Sequence, residues 1–108
     1  MLKLILASEF SVSFHKFKKL LHGTRAVFIP TAAHGEGFAP DLERNVKPLE
    51  DMGVSVTTFD LTEKSEQEVR QALAAADIIY VCGGNTFYLL DHMKKCNFKA
   101  ALLEKLSE

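Results

Sequence analysis

Short apolar runs alternate with amphipathic stretches along the whole chain. Leu2 to Ala7 is a continuous apolar run, as expected of a strand buried on both faces. Ser11 to His22 sets Phe14, Phe17 and Leu21 on one helical face with lysines opposite, and Gly23 suits the stop. Ala26-Val27-Phe28-Ile29 reads as a second buried strand halted by Pro30, and Thr31 to Gly37 reads as a loop of mostly small residues leaving its carboxyl end. From about Pro40 to Met52 a helical stripe collects Leu42, Val46, Leu49 and Met52. Pro40 suits the first turn of that helix and Gly53 the position past its end, while Pro48 predicts a kink or a break. Val54 to Phe59 alternates as a third strand. Ser65 and Glu68 form a capping box ahead of a helix through Val69, Leu73 and Ala76. Asp77 to Cys82 is the fourth strand and is expected to be buried; a helix starts near Thr86, and a last one runs from about Asn97 through Phe98, Leu102 and Leu106.

Strands separated by helices or helix-sized connections imply a parallel sheet with right-handed crossovers. The fold class expected is therefore α/β, a single domain over residues 1–108 with helices on both faces of a mainly parallel sheet. The pattern stops after four strands where a further unit is expected, so the chain reads as truncated, the amino-terminal half of a larger domain.

Composition narrows the partners. Apolar residues make up 47% of the 108 and charged residues 25%, ordinary values for a globular domain. A net charge of −1 argues against a nucleic-acid binder, and the cluster Lys16, Lys18, Lys19 fits a solvated helix face. No apolar run approaches the ~20 residues that span a bilayer. Glu9 and a helical pattern follow the short apolar start, which does not fit a signal peptide. Two cysteines without a secretory signal make a reduced, cytoplasmic setting the expectation.

The candidate chemistry sits in Val81-Cys82-Gly83-Gly84-Asn85-Thr86-Phe87, directly after the fourth strand. Glycines at a strand-to-helix junction let backbone approach a ligand closely and aim amide N–H groups at it. In open α/β sheets the ligand crevice lies outside the carboxyl ends of the strands, where this turn falls. The turn therefore reads as an anion or oxyanion cradle. A plainer reading, glycines that only permit close packing of helix on sheet, fits the same residues.

Together with Ala26-Val27-Phe28-Ile29-Pro30, the string Ile79-Tyr80-Val81-Cys82-Gly83-Gly84-Asn85-Thr86-Phe87 and the following Leu89-Leu90 resemble the dipeptidase E (aspartyl dipeptidase) family of serine peptidases, to which cyanophycinases are related. Leu4-Ile5-Leu6-Ala7-Ser8, Pro48-Leu49 and Gly53-Val54 fall in the expected order. The resemblance implies a three-layer, flavodoxin-like domain similar to class I glutamine amidotransferases. It further implies cleavage of short, Asp-initiated peptides by a histidine-activated serine on a strand-to-helix elbow, with no cofactor. Carried over residue by residue, Gly83 and Gly84 would supply oxyanion-hole amides, and Asn85 and Thr86 would shape the pocket and cap its helix. No serine here has glycine two residues before and after it, so the elbow has no counterpart and the chain alone is expected to be inactive.

Substitutes for the nucleophile are weak on chemical grounds. Ser8 and His34 both emerge from carboxyl ends of strands, but Ser8 lacks an elbow and an oriented base. His34 in its loop fits substrate binding better. Cys82 ends a strand, where cysteine behaves as a small inert hydrophobe. Cys96, His15, His22 and His92 are dispersed, so no metal is expected. Asp91 and His92 are expected on a helix surface, and Asp77 at the end of a turn. Two other readings remain open: a non-catalytic module that forms a homo-oligomer or binds the missing half, and a phosphate-binding flavodoxin-like module, although the G-x-G-x-x-G and P-loop patterns are absent.

Overall fold

A computed structural model of the chain describes residue 19, residues 23–36 and residues 42–107. The expected strand Leu2–Ala7, Ser8, the helix Ser11–His22 apart from Lys19, and Pro40 lie outside the described residues. The described elements are β1 (Arg25–Ile29), a 3-10 helix (Thr31–Glu36), α1 (Leu42–Asp51), β2 (Ser55–Thr58), α2 (Glu66–Ala74), β3 (Ile78–Val81), α3 (Thr86–Lys95) and α4 (Phe98–Leu106). Among these residues the sheet is parallel throughout, in the order β2-β1-β3. Arg25 to Phe28 pair with Ser55 to Thr58, and Ala26 to Ile29 pair with Ile78 to Val81.

β1 is the centre of the described sheet because its sequence is apolar on both faces. Val27 and Ile29 join a core with Leu61, Val69, Leu73, Phe98 and Ala101, which brings α2 and α4 onto one face. Ala26 joins Leu49 and Val54 on the opposite face, under α1, and the Phe28 ring tilts against Tyr80 at 4.9 Å. Burying each such large side chain stabilises the fold by about 1.5–3 kcal/mol, so one five-residue strand ties two helical layers together. The result is a three-layer α/β fold, as the alternating pattern predicts. Two expectations need correcting. Ile78, Ile79 and Tyr80 are half-buried and Val81 is exposed, although this apolar run reads as a buried strand. The reason is position: among the described residues β3 stands at the margin of the sheet and has a partner strand on one side. Of the kink or break expected at Pro48, the break is absent, since α1 is continuous from Leu42 to Asp51. The missing proline N–H removes one ladder bond, while Leu49 beside it is wholly buried and anchors the helix to the sheet.

Local signals locate the helix ends well. Ser65 and Glu68 make the reciprocal capping box, at 3.2 Å from the Glu68 amide to Ser65 Oγ and 3.1 Å from the Ser65 amide to Glu68 Oε1. At the end of α1, Gly53 at φ +87° lets the Val54 amide reach back to the Leu49 carbonyl (3.1 Å) and the Gly53 amide to that of Glu50 (2.9 Å). This is a Schellman closure, and its two apolar flanks, Leu49 and Val54, pack in the same cluster. Asp77, expected in a turn, holds the start of β1: its Oδ2 accepts from the amides of Thr24 (3.0 Å) and Arg25 (3.1 Å). Those backbone donors keep the Asp77 carboxyl below its usual range.

Candidate functional site

The connectivity fixes where a site can form. From β1 the chain crosses by α1 to β2 on one side, and returns by α2 to β3 on the other. The two crossovers cover opposite faces, and the loops after β1 and β3 leave the carboxyl end of the sheet side by side. Residues that the sequence places 53 apart meet there. The Cys82 amide donates to the Ile29 carbonyl (2.9 Å), and the Asn85 amide donates to the Ala32 carbonyl (2.9 Å). The Gly83-Gly84 turn thus lies directly on the 3-10 helix that follows β1.

The two glycines are used differently. Gly84 has φ +146°, and a Cβ built there would stand 2.5 Å from the Ala32 oxygen and 2.7 Å from its carbonyl carbon. Only glycine allows this approach. A Cβ on Gly83 would meet no atom within 4 Å, so that residue faces open space. Among the described residues neither glycine amide has an acceptor. Two N–H donors on exposed residues therefore stand at the carboxyl end of β3, beside the loop that follows β1.

Asn85 is the N-cap of α3, its Oδ1 accepting from the amides of Phe87 (3.0 Å) and Tyr88 (3.1 Å). That oxygen is committed to the helix, so Asn85 shapes the site through the backbone it fixes. Thr86 is the exposed first residue of α3 and makes no part of the cap, which rests on Asn85 alone. The amino end of α3 adds a favourable partial charge for an anion beside the turn. His34 lies in the 3-10 helix two residues after Ala32, past the carboxyl end of β1.

The other candidates stand apart. Cys82 is half-buried, its thiol pushed up by burial and donating to the Gly83 carbonyl at 3.2 Å, which suits an inert side chain. Cys96 is buried in the core below α3 and α4. Asp91 is exposed on α3 and bridges Lys95 at 2.9 Å, and the His92 ring lies against Tyr88 at 4.5 Å. Among the described residues no group of His, Cys, Asp and Glu could hold a metal ion, and no helix is long and apolar enough to cross a membrane.

Sequence reasoning missed the support beneath the turn. Thr31 is wholly buried; its hydroxyl donates to Asp60 Oδ1 (3.0 Å) and accepts from the Leu61 amide (2.9 Å). Asp60 Oδ1 also accepts from the amide (3.0 Å) and hydroxyl (2.9 Å) of Thr62. The available signal was positional: both segments leave the carboxyl ends of neighbouring strands.

Comparison with known proteins agrees with this fold. The chain is 36% identical over 94 residues to an uncharacterized peptidase of Listeria monocytogenes, covering 87% of this chain and 46% of that protein. It is 36% identical over 100 residues to one of Pasteurella multocida (88% and 47%). A peptidase E of Shewanella amazonensis is 29% identical over 85 residues (79% and 34%). A crystal structure from Listeria monocytogenes, described as that of a peptidase E protein, superposes with a TM-score of 0.78 at 35% identity, covering 93% of this chain and 51% of that one. The chain spans about half the length of the Listeria and Pasteurella relatives. The sequence pattern of peptidase family S51 matches residues 5–108, and the chain belongs to that family.

Proposed function

We propose that the Gly83-Gly84 turn is the oxyanion-binding part of a serine-type peptidase site acting on short, Asp-initiated peptides. The observation that carries this reading is the pair of glycine amides without acceptors among the described residues, at the carboxyl end of β3 and beside the amino end of α3. Acyl transfer to water builds negative charge on the carbonyl oxygen, and fixed donors aimed at it lower the barrier. Removing one such donor typically lowers kcat by ~10²–10³. In this reading His34 contacts substrate and Asn85 holds the turn, while the nucleophile corresponds to no serine in these 108 residues.

A second reading is favoured by one observation: Phe87 is 84% exposed and Leu90 50%, on the helix that starts at the site. Here the turn binds peptides without cleaving them, and the module associates with a second copy or with a polypeptide carrying the remaining half of the family's domain.

One experiment separates the readings. The ¹⁵N-labelled chain is titrated with a phosphonate analogue of an aspartyl dipeptide, whose tetrahedral anion mimics the developing charge, and aspartyl dipeptide hydrolysis is assayed alongside. Shifts centred on the Gly83 and Gly84 amides support the oxyanion site, and turnover that appears once a polypeptide carrying the remaining half of the family's domain is added supports the peptidase. The same shifts with no turnover even then favour the binding module. Absence of shifts at both glycines overturns the site.

A further inference from the structure

We infer that Thr31, held by Asp60, is a positioning residue for the Gly83-Gly84 turn. The inference rests on the oxyanion reading for its catalytic consequence, but its structural content can be measured independently.

The connection is a continuous path through three loops. Asp60 follows β2, Thr31 follows β1 and Gly83 follows β3, so the three carboxyl-end loops of the described sheet are linked in order. Asp60 Oδ1 gathers three donors: the Thr31 hydroxyl, the Thr62 amide and the Thr62 hydroxyl, all at 2.9–3.0 Å. A carboxylate oxygen with that many donors has little freedom to move, and charge-assisted bonds are the stronger kind. The Thr31 hydroxyl is held from the other side by the Leu61 amide at 2.9 Å. With 0% exposure, Thr31 has no water to replace either partner.

Thr31 opens the 3-10 helix, and the next residue, Ala32, carries the carbonyl on which the glycine turn rests. That carbonyl accepts from Asn85 at 2.9 Å and would lie 2.5 Å from a Gly84 Cβ. Moving Ala32 by a few tenths of an ångström would therefore either break the Asn85 bond or push Gly84. Either displacement re-aims the Gly83 and Gly84 amides, and oxyanion donors act only within hydrogen-bond distance of the developing charge. Thr31 touches no substrate in this account; it acts through Ala32.

A packing role and a positioning role make opposite demands at Thr31. Thr31→Val keeps the shape and removes the hydroxyl; Thr31→Ser keeps the hydroxyl and removes a methyl. The test is amide hydrogen exchange on the ¹⁵N-labelled full chain, comparing Asn85 with Val69, whose amide bonds to Ser65 within α2 and its cap. Thr31→Val should raise exchange at Asn85 about tenfold or more relative to Val69, the effect of removing one member of a buried network. Thr31→Ser should restore it. Asp60→Ala, at a half-buried position, should speed Asn85 in the same direction and serves if Thr31→Val does not fold. Equal changes at Asn85 and Val69, or Ser behaving worse than Val, overturn the inference. Phosphonate shifts at Gly83 and Gly84 without this coupling would remove the role of Thr31 and leave the oxyanion reading standing. Coupling without phosphonate shifts would do the reverse.

Discussion

Gly84→Ala is the perturbation whose size can be worked out most directly. If the turn keeps its place, the new methyl stands 2.5 Å from the Ala32 oxygen, 2.7 Å from its carbon and 3.0 Å from the Ala33 nitrogen. These are backbone atoms, so no side chain can swing aside. Overpacking of this kind costs about 1–3 kcal/mol, and alanine at φ +146° adds about 1–3 kcal/mol of strain. Retaining the geometry therefore costs about 2–6 kcal/mol. The alternative is to release the turn, which forfeits the bond from Asn85 to Ala32 (about 1 kcal/mol) and loosens the Asn85 cap (about 1 kcal/mol). Release is the cheaper route, so the expected loss is about 2 kcal/mol with the turn displaced. With a urea m-value of about 2 kcal/mol/M, the unfolding midpoint should drop by about 1 M at unchanged m. Gly83→Ala, facing open space, should change stability by less than about 0.5 kcal/mol. A Gly84→Ala protein with the wild-type midpoint and an intact Asn85 amide contact would refute the reasoning. So would equal losses at the two glycines.

Asn85→Ala should cost about 1 kcal/mol in urea unfolding and fray the first turn of α3, whereas Asn85→Asp should keep most of that stability because its carboxylate still caps. Asp77 has a folded pKa below its unfolded one, so its contribution is present above the unfolded pKa and is lost as pH falls through the carboxylate range. Urea midpoints measured downward from neutral pH should therefore decline in acid, and Asp77→Asn should flatten that decline. The raised Cys82 thiol should react with iodoacetamide more slowly at neutral pH than free cysteine, since less of it is thiolate; a rate equal to that of the free amino acid would contradict its burial.

Much of the fold was legible because its signals are local. The capping box at Ser65 and Glu68, the Gly53 closure and the start of α3 at Asn85 depend on residues within four or five positions, and each appears where the pattern placed it. The double-sided apolarity of Ala26 to Ile29 likewise dictated a strand between two helical layers. The glycine pair was legible as a close approach, but its opposing surface was not. That surface is Ala32, whose carbonyl carries no side-chain signature in the sequence.

What the sequence determined by itself is therefore periodicity, caps and the position of a strand-to-helix turn, all set by short-range sterics and hydrogen bonding. Tertiary structure decided the rest. Strand order placed β3 at the margin of the described sheet, leaving Val81 exposed despite its apolar context. The parallel register brought Ile29 beside Val81, and so brought the loops after β1 and β3 into contact. The same convergence delivered Asp60 to Thr31 across 29 residues. Such contacts arise because every strand of a parallel sheet ends on the same side, and nothing in a local window of sequence records which loops will meet there.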